Sequence, residues 1–381
     1  MKYLLTNTGA KAAKRSLLSD MQQRTEKIAR SYFTTSALHG AYKFDAWRDS
    51  VSALFDVEIT RNTPQKPFDS EIETFMLGNM LVMRSQSSSL AFKRSPKTIA
   101  RDGMDHILIQ LFTDGGNILY TEDGSIQVTA GDIQVLDMAQ PVMRETFAKM
   151  GKQLSSGFAY NTITLVVGRD SLETVIPMVH TLHQHVLRAN SPLNLLLRDY
   201  MKSLFSYAPL MTRDEGHAIV HPTVELLATT LSQSAAIYLD GAQNMDSALL
   251  LTIRKFIDTN LHDPKLGPAT ILAHVGISRS ALFRVCKHYG GVMALIRDRR
   301  LLMARRILSQ HTPTTVKMIA YKLGFSNPSN FARTYKQCYG FSPSDTRDLF
   351  KEKTEKTDIS SLDNLPVGDR KWEYWLSNMI G

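Results

Sequence analysis

An internal repeat is the sequence feature that most limits how this chain can fold. One copy occupies residues 272–290 and the other residues 319–340. Each copy contains an apolar pair, a Gly-apolar-Ser triplet, an apolar-x-Arg step followed by Lys, and a closing Gly, with equivalent positions 47 to 50 residues apart. Because self-similarity of this kind indicates one structural unit used twice, both copies should share a local fold.

Each copy predicts a short helix, a tight turn and a second helix. Gly276 and Gly324 suit the turn, since glycine takes a positive φ angle without a Cβ clash. Ser278 can cap the second helix of the first copy by accepting hydrogen bonds from its free amides. In the second copy, Asn327 followed by Pro328 provides an N-cap and a proline at the first helical position. This order of elements is a helix-turn-helix, whose second helix enters the major groove of DNA.

The second helix of each copy leaves polar and basic side chains on its outer faces. Arg bonds guanine through two hydrogen bonds, Asn does so with adenine, and Lys or Ser holds phosphate. One helix-turn-helix pattern is a weak signal because any antiparallel helix pair resembles it, but two matching basic copies are a stronger one. The outer-face residues are Arg279, Ser280, Arg284 and Lys287 in the first copy and Ser329, Asn330, Arg333 and Lys336 in the second.

The charge of the chain is concentrated around the repeat. Residues 251–347 hold 16 Lys and Arg against 4 Asp and Glu, whereas the remaining residues hold 29 basic and 32 acidic groups. A basic segment on a near-neutral body is typical of a protein that binds a polyanion, because neutralising phosphates releases counterions. Taken by itself, the charge also fits a solvated face that only maintains solubility.

The segment between the two copies, residues 292–310, predicts a helix that joins them. At 1.5 Å per residue this helix would span about 28 Å. That length is close to the roughly 34 Å between successive major-groove faces, so one chain could read two adjacent segments on one side of a duplex. The apolar face of the helix is interleaved with Arg297, Arg299, Arg300, Arg305 and Arg306.

The repeat and its flanks resemble the DNA-binding domain of the AraC/XylS family of transcription regulators. The resemblance covers about 100 residues and is carried by residues 256–264, ISRSALFR, GGVMALIRDRRLLMA and residues 319–347. It implies two helix-turn-helix units on a seven-helix scaffold that bind promoter double-stranded DNA and usually activate transcription by contacting RNA polymerase. The resemblance adds Phe283 to the outer-face residues. With the two capping residues, the expected DNA-binding set is Ser278, Arg279, Ser280, Phe283, Arg284, Lys287, Asn327, Ser329, Asn330, Arg333 and Lys336.

From about residue 55 to residue 167 the sequence changes to short β-rich runs separated by turn residues. Such runs predict a sandwich or small barrel, which an amphipathic helix at residues 44–55 precedes. The segments FDAWRDSV, KTIARDGMDHILIQL and AGDIQVLDMAQP resemble the cupin-like sensor domain of one branch of the same family. The barrel could hold a small effector or serve only as an oligomerisation scaffold. We expect His106 to be structural or at most a ligand contact, because a catalytic cupin needs several clustered His and carboxylate ligands.

Residues 170–240 return to helical periodicity, and the first predicted helix covers residues 170–189. His180 and His183 would share a face of that helix and His185 would not, so we expect no metal site here. By family resemblance, the leucine-rich helices of this region form a homodimer. Packing of the same helices on the barrel is the alternative.

The two ends of the chain carry less information. Residues 1–30 are basic and polar and are expected to form a frayed or loosely helical extension, and residues 351–367 a solvated linker. The segment after this linker has one apolar helical face that could dock on the body of the protein or on a partner. The residues of that face are Trp372, Trp375, Leu376 and Ile380.

We therefore expect an α+β multidomain chain. An N-terminal extension at residues 1–34 precedes a sensor and dimerisation domain at residues 35–240, with a cupin-like β-barrel at about 55–167 and helices at about 170–240. An all-α, homeodomain-like double helix-turn-helix domain at residues 250–349 and a tail at residues 350–381 complete it.

The expected function is a sequence-specific transcription regulator, an effector-responsive activator that needs no cofactor and is not an enzyme. An architectural or repressor-type DNA binder without an effector, and an enzyme with an attached DNA-binding module, remain alternatives. An alkyl-accepting repair enzyme would need a reactive, metal-held cysteine. Cys286 and Cys338 fall instead in the predicted recognition helices, where we expect both to be buried. The sequence has no membrane-length apolar run, and the expected location is the bacterial cytoplasm, on the nucleoid when DNA is bound.

Overall fold

A computed structural model gives the architecture of the chain. Residues 1–25 of the expected extension, the linker expected at residues 351–367, and Ile380 lie outside the part that it describes. The described residues are 26–52, 54–59, 68–102, 104–121, 124–148, 158–176, 179–238, 243–309, 314–339, 341–348, 369 and 371–379.

The amino-terminal half is built from antiparallel strands that form two sheets. Their bounds are β1 (Arg30–Thr34), β2 (Asp56–Ile59), β3 (Ser70–Leu77), β4 (Met80–Ser87), β5 (Leu90–Arg94), β6 (Ile107–Asp114), β7 (Gly116–Thr121), β8 (Gly124–Thr129), β9 (Ile133–Asp137), β10 (Val142–Phe147), β11 (Tyr160–Val167) and β12 (Val186–Leu187). The larger sheet has the order β1-β3-β4-β11-β6-β9-β12, and the smaller one the order β2-β5-β10-β7-β8.

The larger sheet separates two apolar layers, because successive side chains of a strand point to opposite faces. On β6, Leu108 and Phe112 belong to the core between the two sheets. Ile107, Ile109 and Leu111 of the same strand belong to a second core, which helices cover from outside. The space between the sheets is the interior of the barrel.

Helices cover the sheets and form the carboxyl-terminal domain. Around the barrel lie α1 (Gly40–Val51), α2 (Pro96–Asp102), α3 (Arg169–Glu173), α4 (Pro192–Tyr207), α5 (Arg213–Ala218) and α6 (Val220–Tyr238). The carboxyl-terminal domain contains α7 (Gln243–Thr259), α8 (Pro268–Val275), α9 (Arg279–Cys286), α10 (Val292–Ser309), α11 (Val316–Lys322), α12 (Pro328–Tyr339) and a helical segment at residues 343–348. The last described helix is α13 (Lys371–Asn378). A β-rich domain followed by an all-helical one confirms the expected α+β fold class.

The prediction of one helix over residues 170–189 was wrong. Helix α3 ends at Glu173, a 3₁₀ turn follows at Val179–Leu182, and β12 pairs with β9 at the edge of the larger sheet. The sheet edge takes the backbone hydrogen bonds of this segment, since Gln184 N donates to Val135 O at 2.8 Å. The histidines at 180, 183 and 185 therefore do not lie on a common helix, and the described residues contain no cluster of three groups suited to a metal ion.

Both ends of the chain contribute to the barrel domain. Residues 30–34, which we expected within an extension, form β1 and pair with β3, and Phe33 is buried in the interior core. Only two of these five side chains are buried, a pattern too short to identify a strand from sequence. At the other end, Trp372 and Leu376 of α13 are buried in the same core, so the apolar face of the tail docks on the body.

Candidate nucleic-acid interface

The first helix-turn-helix unit consists of α8, a tight turn and α9. Gly276 ends α8 with φ at 69°, a conformation that favours glycine. Ser278 caps α9 by accepting a hydrogen bond from Ala281 N at 3.2 Å, as the sequence predicts. Leu282 on the inner face of α9 shares a core with Ile271 of α8. This core turns the opposite face of α9 outward.

The second unit, α11 to α12, is built in the same way. Gly324 lies in the turn with φ at 70°. Asn327 caps α12, because its Oδ1 accepts hydrogen bonds from Ser329 N at 2.8 Å and Asn330 N at 3.2 Å. Phe331 is buried on the inner face of α12. The two copies of the sequence repeat therefore fold as two equivalent units.

All eleven residues of the expected DNA-binding set are exposed. Ser278 and Asn327 use their side-chain oxygens as helix caps, whereas the other nine occupy α9, α12 and the residue after α9. On α12, Arg333 donates to Asn330 Oδ1 at 3.0 Å, so these two side chains lie together on one exposed face. Phe283 is the large apolar member of the set, 42% exposed.

The two cysteines occupy different environments in the recognition helices. Cys286 is buried as expected, and its burial raises the pKa of the thiol to about 11. Cys338 is exposed, so the expectation of burial was wrong for this residue. The inward positions of α12 are taken by the aromatic residues Phe331, Tyr335 and Tyr339 instead.

Helix α10 joins the two units. Leu295 and Ile296 in its first half belong to the core of the first unit, and Leu301 and Leu308 in its second half belong to the core of the second. Its 18 residues correspond to a length of about 27 Å. Because one continuous helix contributes to both cores, it acts as a spacer between the two recognition helices.

Comparison with known proteins gives the same two-part organisation. A family model described as an AraC-binding-like domain matches residues 47–232, and one described as a helix-turn-helix domain matches residues 271–348. Together they match more than half of the chain. The chain belongs to the AraC/XylS family of transcription regulators. It is therefore a DNA-binding transcription regulator, as the repeat predicts.

Several relatives of this AraC/XylS regulator are themselves regulators. It is 22% identical over 302 residues to the transcriptional activator NphR of Rhodococcus sp, covering 78% of this chain and 86% of that one. It is 30% identical over 101 residues to the arabinose operon regulatory protein of Escherichia coli (strain K12), covering 26% and 34% of the two chains. The crystal structure of the AraC-like transcriptional activator CuxR shares its fold, with a TM-score of 0.50 and 21% identity over 72% of this chain and 95% of that one.

Glu173 of this AraC/XylS regulator lies at the centre of a buried ion cluster between its two domains. Arg299 of α10 donates to Glu173 Oε2 at 2.7 Å, and Arg254 of α7 pairs with the same oxygen. Arg169 of the barrel domain lies 3.4 Å from the other oxygen. Burial alone would raise the pKa of Glu173, but the arginines, led by Arg299 and Arg254, outweigh it and lower that pKa to about 2. The charged carboxylate therefore ties the first unit to the barrel domain.

Arg305 and Arg306 tie the second half of α10 to the segment around α2. The side chain of Arg305, 1% exposed, donates to the carbonyls of Ile99 and Met104. Arg306 donates to Asp105 at 3.0 Å. Helix α2 starts two residues after β5 ends, so these contacts connect the spacer helix to a barrel strand through α2. Sequence reasoning missed this interface, because partners 200 residues apart leave no local pattern.

His180 lies at the same domain boundary, with its ring centroid 5.0 Å from that of Tyr289. Burial, aided by the charges of Arg169 and Arg254, lowers the pKa of His180 to about 4. The imidazole is therefore neutral at neutral pH and packs against the DNA-binding domain in that form.

Proposed function

We propose that this regulator reads two adjacent major-groove segments of promoter DNA with the eleven exposed residues named above. The proposal rests on one observation: the recognition helices α9 and α12 are both exposed, and the two halves of α10 pack in the cores of their units. Residues 314–339 contain four Lys and Arg and no Asp or Glu, a distribution suited to phosphate contacts. Polar side chains near the start of each recognition helix are suited to base edges.

Duplex sites selected from a random pool by the full-length protein allow this proposal to be tested. Arg333→Ala should weaken binding by about 1–3 kcal/mol and relax the preference at one base pair, since a base contact discriminates sequence. A uniform loss across all sequences would make Arg333 a phosphate contact. Arg297→Ala, which changes an exposed arginine of α10 outside the set, is the matched control. Unchanged binding by both Arg333→Ala and Arg284→Ala would overturn the proposed interface.

We further propose that a small-molecule effector bound in the barrel controls the DNA-binding domain, and that the protein acts as an activator. Support comes from the contacts of Glu173, Arg305 and Arg306, which connect the barrel domain to both units while the eleven residues stay exposed. The restraint would therefore act on the orientation of the units rather than by covering them. An effector shifts a population only by binding one state more tightly than the other, so it would have to favour the state in which these contacts are released. Loosening the contacts by mutation should therefore raise the DNA affinity of the effector-free protein. Unchanged affinity after Glu173→Gln would contradict this regulatory proposal.

A homodimer is proposed through α4 and the turn after it. Leu196, Tyr207 and Leu210 are each more than 60% exposed. Leu196 and Tyr207 are eleven residues, or about three helical turns, apart and so share a face. Analytical ultracentrifugation should give a dimer that Leu196→Asp dissociates. A monomeric wild-type protein would exclude the dimer.

The remaining parts of the proposal follow from the role of a transcription regulator. RNA polymerase is the expected protein partner of an activator, and the cytoplasm, where promoter DNA is found, is the expected location. No described helix is long and apolar enough to cross a membrane. We propose no enzymatic activity: the relatives named above are regulators, and the raised pKa of Cys286 keeps that thiol protonated. An architectural binder is the alternative, and it would bind selected and random duplexes almost equally.

A further inference from the structure

The barrel interior contains a small cavity that the carboxyl-terminal helix helps to line. The cavity has a volume of about 50 Å³, and the Trp372 and Leu376 side chains of α13 form part of its wall. Most of the remaining wall is apolar, with Phe55, Phe92 and Tyr160 among its aromatic residues. A space of this size holds a few waters at most, so an organic ligand would have to occupy the volume of the α13 side chains.

Arg144 places a cation in this apolar wall. The residue is 5% exposed, and its guanidinium lies between the rings of Phe55 and Phe92, at 5.1 and 4.8 Å from their centroids. Its Nη1 donates to Gln110 Oε1, while the buried Nε has no hydrogen-bond partner among the described residues. Burial lowers the pKa of Arg144 to about 10, which leaves it charged at neutral pH.

The absence of a carboxylate partner distinguishes Arg144 from other buried arginines of this domain. Arg94 donates to Asp102 at 2.8 Å, and Arg169 pairs with Asp137. Within the described part of the chain, no Asp or Glu forms an ion pair with Arg144. A buried cation without a counter-ion is unfavourable, so an anion in the cavity would be strongly favoured at this position.

A network of amides holds the guanidinium in place. Gln110 Nε2 donates to Thr164 Oγ1 at 3.1 Å, and Gln110 Oε1 accepts from Gln134 Nε2 at 2.6 Å as well as from Arg144. Asn117 in turn donates to Gln134 Oε1 at 3.0 Å. Since Gln110 is held by hydrogen bonds on both sides, the Arg144 guanidinium has a defined orientation.

The docking of α13 on the barrel is imperfect. His106 Nε2 donates to the carbonyl of Leu376 at 3.0 Å. In contrast, the buried indole N–H groups of Trp372 and Trp47 have no hydrogen-bond partner among the described residues. Unpaired buried polar groups weaken an interface, so α13 is suited to being displaced.

We propose that the barrel binds an organic acid whose anionic group pairs with Arg144 and whose apolar body takes the place of Trp372 and Leu376. The carboxyl-terminal helix is then the intramolecular competitor of the effector. This inference rests on the proposed function in one respect, namely that the barrel is the effector domain, and it adds the chemical class of the effector and the element that the effector displaces.

Calorimetric titration of the full chain tests the site directly. The probes are straight-chain carboxylates from propanoate to decanoate and 4-phenylbutanoate, each paired with its uncharged carboxamide. A Trp372→Ala/Leu376→Ala variant should bind at least one acid tenfold or more tightly than the wild-type protein does, and tenfold more tightly than its amide. Tyr374→Ala, at an exposed position of the same helix, is the control and should bind like the wild-type protein.

Two further measurements separate the site from its consequences. In a Trp47→Phe/Trp375→Phe background, acid binding should shift Trp372 emission to the red as this side chain enters water. Arg144→Met should abolish the preference for acid over amide while its DNA affinity stays that of the effector-free protein. Binding of acid and amide with equal affinity, or no acid bound by the opened variant, would overturn the proposal, and neither result depends on the Arg144 variant folding. If acid binds as expected but DNA affinity does not respond, the site stands and the effector role fails.

Discussion

Replacing Glu173 by Gln removes one negative charge from the ion cluster between the domains and nearly preserves the shape of the side chain. The Glu173 carboxylate is 8% exposed and pairs with Arg254 and Arg299 of the DNA-binding domain. In the variant Arg254 loses its carboxylate partner, while Arg299 keeps Asp258 and Arg169 keeps Asp137 as counter-ions. Breaking a buried pair in this way is far more costly than removing a surface pair, because the remaining charges stay buried.

The size of the effect follows from the shift of the Glu173 pKa from its ordinary 4.5 to about 2. At about 1.4 kcal/mol per unit, that shift corresponds to roughly 3 kcal/mol of interaction between the carboxylate and its surroundings. An independent expectation for breaking a buried ion pair is about 3–5 kcal/mol. A loss of this size changes the ratio of docked to undocked domains by about two orders of magnitude.

Urea unfolding followed by two signals measures this loss. The tryptophans, Trp47, Trp372 and Trp375, all lie in the barrel domain or on it, so their fluorescence follows that domain, whereas far-UV circular dichroism also follows the DNA-binding helices. We expect coincident transitions in the wild-type protein. In the Glu173→Gln variant the dichroism transition should move by about 1–2 M to lower urea and separate from the fluorescence transition.

Glu73→Gln is the matched control for this experiment. Glu73 pairs with Arg30 and Arg84 within the larger sheet, away from the domain boundary. Its partners are partly exposed, so the change should cost less than about 1 kcal/mol. Coincident transitions at the wild-type midpoint in Glu173→Gln would mean that the ion cluster does not couple the domains.

Three further outcomes are expected. Phe331→Ala should destabilise the DNA-binding domain by about 3–5 kcal/mol in urea titrations, since it empties a fully buried site; a loss under 1 kcal/mol would contradict this. Gly324→Ala should also unfold at lower urea, because the new Cβ, at a residue with φ of 70°, would lie 2.9 Å from the Leu261 carbonyl oxygen. Gly276→Ala has only the cost of placing alanine at a positive φ, so it should lose less stability. The lowered pKa of His180 contributes stability that is complete above about pH 6.5 and is lost as the pH falls towards 4. The free energy of unfolding should therefore fall by about 1–2 kcal/mol between pH 7 and pH 5. A His180→Asn variant should lack that part of the pH dependence.

The local features of the DNA-binding domain could be predicted from sequence because they depend on short spacings. The turn glycine Gly276, the cap residues Ser278 and Asn327, and the inward position of Phe331 follow from helix periodicity and capping rules. The repeat then doubles the signal. Cys338 was misjudged because residue type alone does not decide which face of α12 it occupies.

Long-range contacts left no comparable signal. Arg305 and Arg306 look like ordinary basic residues of an amphipathic helix, and their partners near Asp105 lie 200 residues earlier in the chain. The segment after Glu173 has helical periodicity, but pairing with a sheet edge overrides it. Arg144 could have been noticed, since it occupies an inward position between the buried residues of β10. Its lack of a carboxylate partner is visible only in three dimensions.

Helices α9 and α12 of one chain are proposed to read two neighbouring major-groove segments. Dimethyl sulfate and hydroxyl-radical footprinting of a selected site by the full-length protein tests this claim most directly. We expect two protected segments per chain on one face of the duplex, about one helical turn apart. Arg284→Ala should weaken protection of one segment and Arg333→Ala that of the other. A single protected segment per chain, or loss of the same segment in both variants, would contradict the claim.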